Sequence, residues 1–545
     1  MKTAKYIPVV VLAALALTSC EKDLDLQPES GSLLAAQVQE TNVLIPERGA
    51  ASFNGLFSAI GQPNSTFNRT SPRADDFAFI AMCLSNDYEG SDAILPDSGY
   101  NWFSVCGEYT SRTPSYANPY IRYATPYREI AAVNDFLAGY PENVEDPLII
   151  NMIAQARAIR AWSYMFLAPA FQFGYAAGAA DKPCVPIVTE NTEDFTNNPR
   201  ATVEEVYKLI MEDLDYAVEH LEGASRTSKM YIDQQVAYGL RARANLYMNK
   251  WAEAAADAEK AAAGYEPASI AEVSKPAFMD INEHNWMWGY DMTADMAMVF
   301  RYATCSSWLS SFSAWGYTAG AACYVQMNNL LYDKIPTTDV RKGWWLDENL
   351  YSPLLEGLTW DNLKGQQIAT ETIPDVKEPM PPYTNVKFGC NPIGTTANEE
   401  DYPLMRVEEM ILIQAEGYAK SGQEAKAREI LESFVQTYRD PSYSAVASGR
   451  SLSDEIWFQR RVELWGEGFG VLDTKRLNKP LVRFQNGKAS NWPGNFRFNI
   501  AANDGWMLMR FPQDEMNTNY GIVDNTDGKI PVIEQNGELR DGVTD

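Results

Sequence analysis

The chain has 545 residues and a formal charge of −27, from 45 Lys and Arg against 72 Asp and Glu. At roughly 100 to 200 residues per domain, this length suffices for two or more lobes with a large core. The acidic charge argues against nucleic acid as a partner and against side-chain binding to an anionic lipid surface, because both require basic patches.

The first twenty residues have the order of a lipoprotein signal. Lys2 and Lys5 give a positive start, an apolar run covers 7–17, and the run ends in a lipobox of sequence LTSC. The apolar run has the length of a secretory signal but is too short to span about 30 Å of hydrocarbon. We therefore predict that residues 1–19 are removed, that Cys20 is acylated, and that its lipid tethers the mature protein to a membrane.

Six further cysteines are scattered through the chain without the C-x-x-C spacing that a zinc site or a redox pair needs. We expect most of them to be buried free thiols, and we expect no cofactor and no metal ligands. Residues 524–528 faintly resemble a calcium loop but lack its spacing, which leaves bound calcium as a minor alternative. An exported protein can form disulfides, and the nearest pairs are Cys83 with Cys106 and Cys305 with Cys323. Spacing alone leaves both pairings open.

Helical periodicity dominates the chain after a short acidic tether at 21–28. Apolar residues recur at three- and four-residue spacing, which predicts a mainly α-helical protein. Thr202 followed by Glu205 predicts a capping box at one helix start. The predicted helices cover 51–60, 120–137, 149–173, 203–221, 232–248, 252–263, 403–421, 425–438 and 452–468.

Two of these helix pairs share a small-large-turn-small register that is typical of tetratricopeptide repeats. The shared positions are Ala244, Tyr247, Trp251 and Ala255 in one pair and Ala415, Tyr418, Gly422 and Ala425 in the other. Between the helical regions, 69–118 and 267–398 are rich in Gly, Pro, Ser, Asn and aromatic residues and have little helical period. We predict tetratricopeptide-like helix pairs forming one solenoid-like scaffold, which carries a long, loop-rich, mixed insertion.

Several short blocks, in a fixed order along the mature chain, match the motifs of one known family. They begin with Asp23, Leu24, Asp25 and Pro28 and continue with ARAIRAWSYMF at 156–166, PCVPIV at 183–188 and PRATVEEV at 199–206. The second half adds DYPLMRVEEMILIQAE at 401–416, RRVELWGEGFGVLDTKR at 460–476 and FPQDEMN at 511–517. In this set and order the blocks resemble the SusD/RagB family of outer-membrane nutrient-binding lipoproteins.

The resemblance implies a lipid-anchored protein on the outer membrane, facing the cell exterior. It implies that the protein binds oligosaccharide or polysaccharide and delivers it to a SusC-like TonB-dependent transporter. The implied division is a signal peptide at 1–19, a SusD-like helical region at 20–265 and a RagB/SusD-like region at 266–545 that includes the loop-rich insertion. Peptide capture, as in RagB-like members, is an alternative, and a surface glycoside hydrolase is the alternative from a different class.

Aromatic residues in the two insertions are the candidates for contact with a glycan. Sugars offer flat C–H faces on which Trp and Tyr stack, and hydroxyl edges to which Arg and Asn form hydrogen bonds. The predicted ligand-binding residues are Arg73, Tyr100, Asn101, Trp102, Trp308, Trp315 and Tyr317. Such rings also fill cores beneath long loops, and the sequence leaves that alternative open for each. Trp286 and Trp288 alternate with their neighbours, which predicts a strand with one buried face.

The sequence contains few residues that could form the catalytic site of an enzyme. His220 and His284 are the only two histidines, which gives little support for a triad or a metal centre. Carboxylate pairs at 75–76 and 408–409 are candidates for a glycosidase. Neighbouring residues on a helix point about 100° apart, so the second pair is not expected to face one substrate. We expect no catalytic residues.

Overall fold

The structure is a computed structural model that describes residues 35–64, 66, 72–97 and 102–545. In the first half, the elements are α1 (Ala35–Leu44), α2 (Glu47–Ser58), α3 (Ala78–Tyr88), β1 (Ala93–Ile94), α4 (Ser104–Glu108), α5 (Ala117–Ala138), α6 (Pro147–Phe171), α7 (Val203–His220), α8 (Gln234–Tyr247) and α9 (Trp251–Ala262). These long helices account for most of the ordered backbone in this half.

Short elements follow in the loop-rich insertion. They are α10 (Ile270–Val273), β2 (Trp286–Tyr290), α11 (Ala294–Val299), α12 (Cys305–Leu309), β3 (Gln326–Met327), α13 (Asn329–Tyr332), β4 (Thr359–Trp360), β5 (Leu363–Lys364), α14 (Gln367–Thr370) and β6 (Tyr402–Arg406). The chain then returns to helices α15 (Val407–Lys420), α16 (Glu424–Tyr438), α17 (Leu452–Glu463), α18 (Gly470–Arg476) and α19 (Gln513–Thr518).

The long helices pack one after another as a solenoid. Helix α5 packs on α6, α6 on α7, α7 on α8 and α8 on α9. The next member of the row is α15, which packs on α9 although the whole of 263–406 separates them in sequence. Helix α15 then packs on α16 and α17. The prediction of a mainly helical, tetratricopeptide-like scaffold with an inserted mixed region is confirmed.

Small residues allow the close packing of α9 and α15, on which the continuity of the solenoid depends. Ala255 and Ala415, both from the predicted register, are fully buried. At Gly417 a Cβ atom would lie 2.4 Å from the carbonyl oxygen of Trp251 and 2.9 Å from Cβ of Ala255. A larger residue at this position would therefore force the two helices apart.

The predicted capping box is present at the start of α7. The Thr202 hydroxyl accepts from the backbone N–H of Glu205 at 3.2 Å, and the Glu205 carboxylate accepts from the backbone N–H of Thr202 at 2.8 Å. At the start of α6, Asp146 accepts from the backbone N–H of Leu148, and Pro147 occupies the first helical position. The starts of α6 and α7 therefore both have side-chain acceptors for the free backbone N–H groups of the first helical turn.

Two predicted helix boundaries are wrong. Residues 402–406 form strand β6, which pairs antiparallel with β2, and the helix begins only at Val407. Helix α17 ends at Glu463 rather than at 468. The predicted strand around Trp286 and Trp288 is present, but all five residues of β2 are buried, so both of its faces are covered.

The sequence pattern does not predict helix α3, because all eleven of its residues are buried. A helix that is enclosed on every side has no polar face and therefore no amphipathic period. Several polar groups of the helix and its C-terminal end are paired inside the protein. Arg122 donates to Asn86 at 2.6 Å and to Glu89 at 2.7 Å, and the Asp87 carboxylate accepts from the backbone N–H groups of Gly468 and Gly470 at 2.8 Å each.

The six cysteines in the described ranges are all buried free thiols, as predicted. Burial raises the pKa of the Cys83 and Cys106 thiols to about 12, so both are protonated at neutral pH. No helix in the described part of the chain has both the length and the apolar character to cross a membrane.

A buried ionic cluster joins the insertion to the helical scaffold around Glu463. Its carboxylate contacts Arg439 at 2.8 Å and Arg341 and Arg406 at 3.2 Å each, and none of these side chains has exposed surface. Burial acts to raise the pKa of Glu463, but the three guanidinium groups outweigh it and hold that pKa well below its usual range. The cluster ties the insertion, strand β6 and helices α16 and α17 together.

Candidate functional site

Three of the predicted ligand-binding residues meet at the surface. The indole N–H of Trp102 donates to the hydroxyl of Tyr317 at 2.8 Å, although 215 positions separate the two residues. The guanidinium of Arg73 lies over the Trp102 ring, with Cζ 4.9 Å from the ring centroid. Trp102 is 39% exposed and Tyr317 is half-buried. The fold thus brings the two insertions together at one site.

Trp308 lies directly beneath these residues. Its ring stacks on Tyr317 with centroids 4.1 Å apart and planes within 8°, and it meets Phe103 edge-on at 4.8 Å. Its indole N–H donates to the carbonyl of Ala74 at 2.8 Å, and the side chain has no exposed surface. Trp308 therefore supports Tyr317 from below, and our expectation of direct ligand contact does not fit its burial.

Trp315 lies on the neighbouring loop and is 47% exposed. The guanidinium of Arg301 lies over its ring, with Cζ 5.0 Å from the centroid. The amide of Asn398, which is fully buried, donates to the carbonyls of Arg301 at 2.8 Å and of Trp315 at 3.4 Å. Asn398 thereby fixes the two loops that carry this arginine and this ring.

Gly316 sets the turn that places Trp315 and Tyr317. A Cβ atom at this position would lie 2.8 Å from the hydroxyl of Ser313 and 2.9 Å from the carbonyl oxygen of Ser307. Only glycine fits this approach, so the sequence W-G-Y is required for one ring to point outward while the other stacks inward.

Tyr302 completes the surface and was missed as a candidate. It is 37% exposed, and its ring meets that of Tyr317 edge-on at 5.8 Å. The sequence feature that identifies Tyr302 as a candidate is its position next to Arg301 in the aromatic-rich insertion. We call the rings of Trp102, Tyr302, Trp315 and Tyr317 the aromatic platform.

Arginines and a buried acid set the electrostatics of the platform edge. Arg73 pairs with Asp75 at 2.8 Å. Burial raises the pKa of Asp75, and Arg73 opposes that rise. Burial also raises the pKa of Tyr317, so its hydroxyl is neutral at physiological pH. Because Trp102 donates to this hydroxyl, the O–H of Tyr317 is available to donate to a ligand.

The remaining candidate residues do not contribute to the aromatic platform in the described structure. Cys20, Tyr100 and Asn101 fall outside the described residues. The carboxylates considered for hydrolysis are held in buried contacts, since Glu409 pairs with Arg243 at 2.6 Å and Glu408 with Arg439 at 3.2 Å. The described side chains include no cluster of His, Cys, Asp and Glu that could hold a metal ion.

The arrangement offers flat apolar faces and directed hydrogen-bond donors on one exposed surface. Two tryptophan faces, two tyrosines and two guanidinium groups match the faces and hydroxyl edges of a sugar chain. The geometry of the described residues therefore suits recognition of a ligand with flat apolar faces and hydroxyl edges.

Comparison with known proteins identifies the family. A family model described as starch-binding associating with outer membrane matches residues 73–246, and a second model, described as the SusD family, matches 375–529. Together the two matches span more than half of the chain. No curated protein matches the chain.

Solved structures share the fold over most of their length. A SusD-like carbohydrate binding protein from Bacteroides vulgatus is 23% identical with a TM-score of 0.70, covering 87% of this chain and 97% of its own. A SusD superfamily protein from Bacteroides thetaiotaomicron is 18% identical with a TM-score of 0.67, covering 88% and 99%. Surface glycan-binding protein A from the same species, in complex with laminarihexaose, is 16% identical with a TM-score of 0.60, covering 88% and 99%. With SusD-type models matching in both halves and this fold throughout, the chain is a member of the SusD/RagB family.

Proposed function

We propose that the protein binds nutrient oligosaccharide or polysaccharide on the aromatic platform and holds it without cleaving it. The observation that carries the proposal is the pair of exposed rings, Trp102 and Trp315, each with an arginine over one face. The opposite face of each ring is suited to stacking on a pyranose, while the guanidinium groups can donate to its hydroxyls.

The comparisons support a glycan as the ligand class. The description of the N-terminal match concerns starch-binding proteins associated with the outer membrane, and one structural relative holds laminarihexaose. The enclosure of Glu408 and Glu409 in ion pairs supports binding without hydrolysis.

We further propose that lipid on Cys20 anchors the protein to the outer face of the outer membrane. There it would pass its glycan to a SusC-like TonB-dependent transporter. The lipobox and the acidic tether that follows it support this placement, as does the association with the outer membrane in the description of the N-terminal match. Two or more acyl chains would hold the protein stably, because each buried CH₂ contributes about 0.8 kcal/mol.

Replacing Cys20 by Ala is expected to release the protein from membranes, because the side chain that receives the lipid is removed. The measurement is the distribution of the protein between membrane and soluble fractions, compared with a Gln27→Ala control that changes the tether but keeps the lipobox. Unchanged membrane association of Cys20→Ala would contradict the proposed anchor.

A binding screen tests the ligand. We expect the purified protein to bind members of an array of neutral and acidic oligosaccharides and to leave peptides on the same array unbound. Mass spectrometry of the bound glycans should return them intact. Preferential binding of peptides would favour the alternative ligand class, and shortened glycans would favour a hydrolase.

A further inference from the structure

A polar cleft opens beside the aromatic platform. Its volume is about 680 Å³, within the roughly 300 to 1,000 Å³ of typical small-molecule sites. Its walls combine apolar and polar side chains, among them Gln62, Thr66, Phe79, Thr125, Glu129 and Val299. We call this cleft the Glu129 pocket.

Two contacts connect the wall of the pocket to the residues of the platform. On one side, the wall residue Asn64 accepts from the backbone N–H of Arg73 at 3.0 Å. On the other, Val299 is followed by Phe300, whose ring meets that of Tyr302 at 5.5 Å. The pocket therefore lies beside the platform in the fold.

Glu129 contributes a buried carboxyl oxygen without a hydrogen-bond partner to this wall. The residue is 4% exposed, and within the described part of the chain its Oε1 has no hydrogen-bond partner. By contrast, the hydroxyls of Thr66 and Thr125 lie 2.8 Å apart and satisfy each other. A buried polar atom without a partner is destabilising, and a ligand that forms a hydrogen bond with it removes that cost.

The protonation of Glu129 decides what it can bind. Burial raises its pKa to about 8, and the positive charge of Arg128 opposes that rise. Helices α2 and α3 pack against α5, and the residues that these two segments contribute to the wall, Ala59, Ala78 and Phe79, are uncharged. Among the described wall residues, Arg128 is therefore the charged side chain beside Glu129. At neutral pH the group is therefore mainly a carboxylic acid that donates a hydrogen bond.

We propose that the Glu129 pocket is a second carbohydrate subsite, which takes one neutral sugar ring from a branch or chain end of a glycan on the platform. Glu129 donates to a hydroxyl or acetamido oxygen of that ring, and Phe79 and Val299 face its apolar surface. The inference rests on the proposed function, because the platform must hold the rest of the glycan. A neutral ring suits this wall, since the protonated carboxyl group of Glu129 carries no charge at neutral pH.

The test uses four variants of the full-length protein on an array of linear and branched neutral oligosaccharides that includes laminarihexaose. Ala132 is an exposed wall residue of the pocket, so Ala132→Trp narrows it without touching the core. Ala131→Trp is the matched control, because Ala131 is exposed on the same helix and does not line the pocket. We expect Ala132→Trp and Glu129→Ala to weaken binding of branched glycans about tenfold, and Ala131→Trp to leave it unchanged.

The pH dependence separates donation by Glu129 from simple space filling. A ligand that accepts from the acid favours the protonated form, so wild-type affinity should fall as pH rises above about 8. Glu129→Gln keeps an N–H donor of similar size, and we expect it to keep most of the affinity while losing this dependence.

The outcomes distinguish the two proposals. If the wild type binds array glycans and both Ala132→Trp and Glu129→Ala bind them with unchanged affinity, the subsite is refuted and the platform stands. If the wild type binds no glycan at all, the proposed function and the subsite both fall. A pH profile for Glu129→Gln that matches the wild type would refute the role of Glu129.

Discussion

Replacing Glu463 by Gln is expected to lower the free energy of unfolding by about 3 to 5 kcal/mol. Glutamine keeps the shape of the side chain but removes the negative charge. The buried guanidinium groups of Arg341, Arg406 and Arg439 would then lose the carboxylate that they share. They would keep their contacts with Asp339, Glu408 and Glu467. Removing one charge from a buried ionic cluster leaves the remaining charges unbalanced in a desolvated site, which is why the expected loss of stability is large.

Urea unfolding followed by circular dichroism measures this effect. The matched control is Glu212→Gln, because Glu212 is an exposed carboxylate whose contact with Lys208 is 3.9 Å long. An exposed pair of this kind contributes at most about 1 kcal/mol. A loss below about 1 kcal/mol for Glu463→Gln would show that the cluster does not hold the insertion to the scaffold.

Replacing Trp102 or Trp315 by Ala is expected to weaken glycan binding by about 1 to 3 kcal/mol for each ring that is a principal anchor. Each variant removes an exposed stacking face and leaves its arginine without a partner ring. Both side chains lie at the surface, so the fold should be little affected. The measurement is titration calorimetry with the glycan that binds best in the array.

The control for this experiment is Tyr520→Ala, which removes an aromatic ring that is 80% exposed outside the platform. Its affinity should equal that of the wild type. Trp308→Ala is not a suitable probe, because loss of this buried ring would withdraw support from Tyr317. Unchanged affinity of Trp102→Ala would remove that ring from the site, and the same holds for Trp315→Ala.

The sequence predicts the scaffold well because its signals are local. The periodicity of α5 to α9 and the capping box at Thr202 act within a few turns of one element, and the small-residue register can be recognised within each pair of adjacent helices. The blocks that revealed the family also maintain the fold. Arg160 forms a bidentate pair with Asp213 at 2.8 Å, and Arg476 pairs with Glu416 at 2.7 Å, in both cases between helices. Residues with this role identify the fold but carry no information on the ligand.

The site is harder to predict because it depends on contacts between distant segments. Trp102 and Trp308 both lie in loop-rich sequence, yet one is exposed and the other is enclosed beneath Tyr317. Nothing local distinguishes them. The buried amide of Asn398 acts only because the fold places two loops beside it. The enclosed helix α3 was missed for a related reason, since complete burial erases the period that reveals a helix.

The most direct test of the central claim is a crystal structure of the protein with the glycan that binds best in the array. The account predicts sugar rings against the faces of Trp102 and Trp315, within hydrogen-bonding distance of Arg73 or Arg301, and with every glycosidic bond intact. A glycan bound elsewhere, with both tryptophan faces uncovered, would contradict the account, as would a cleaved product at the platform.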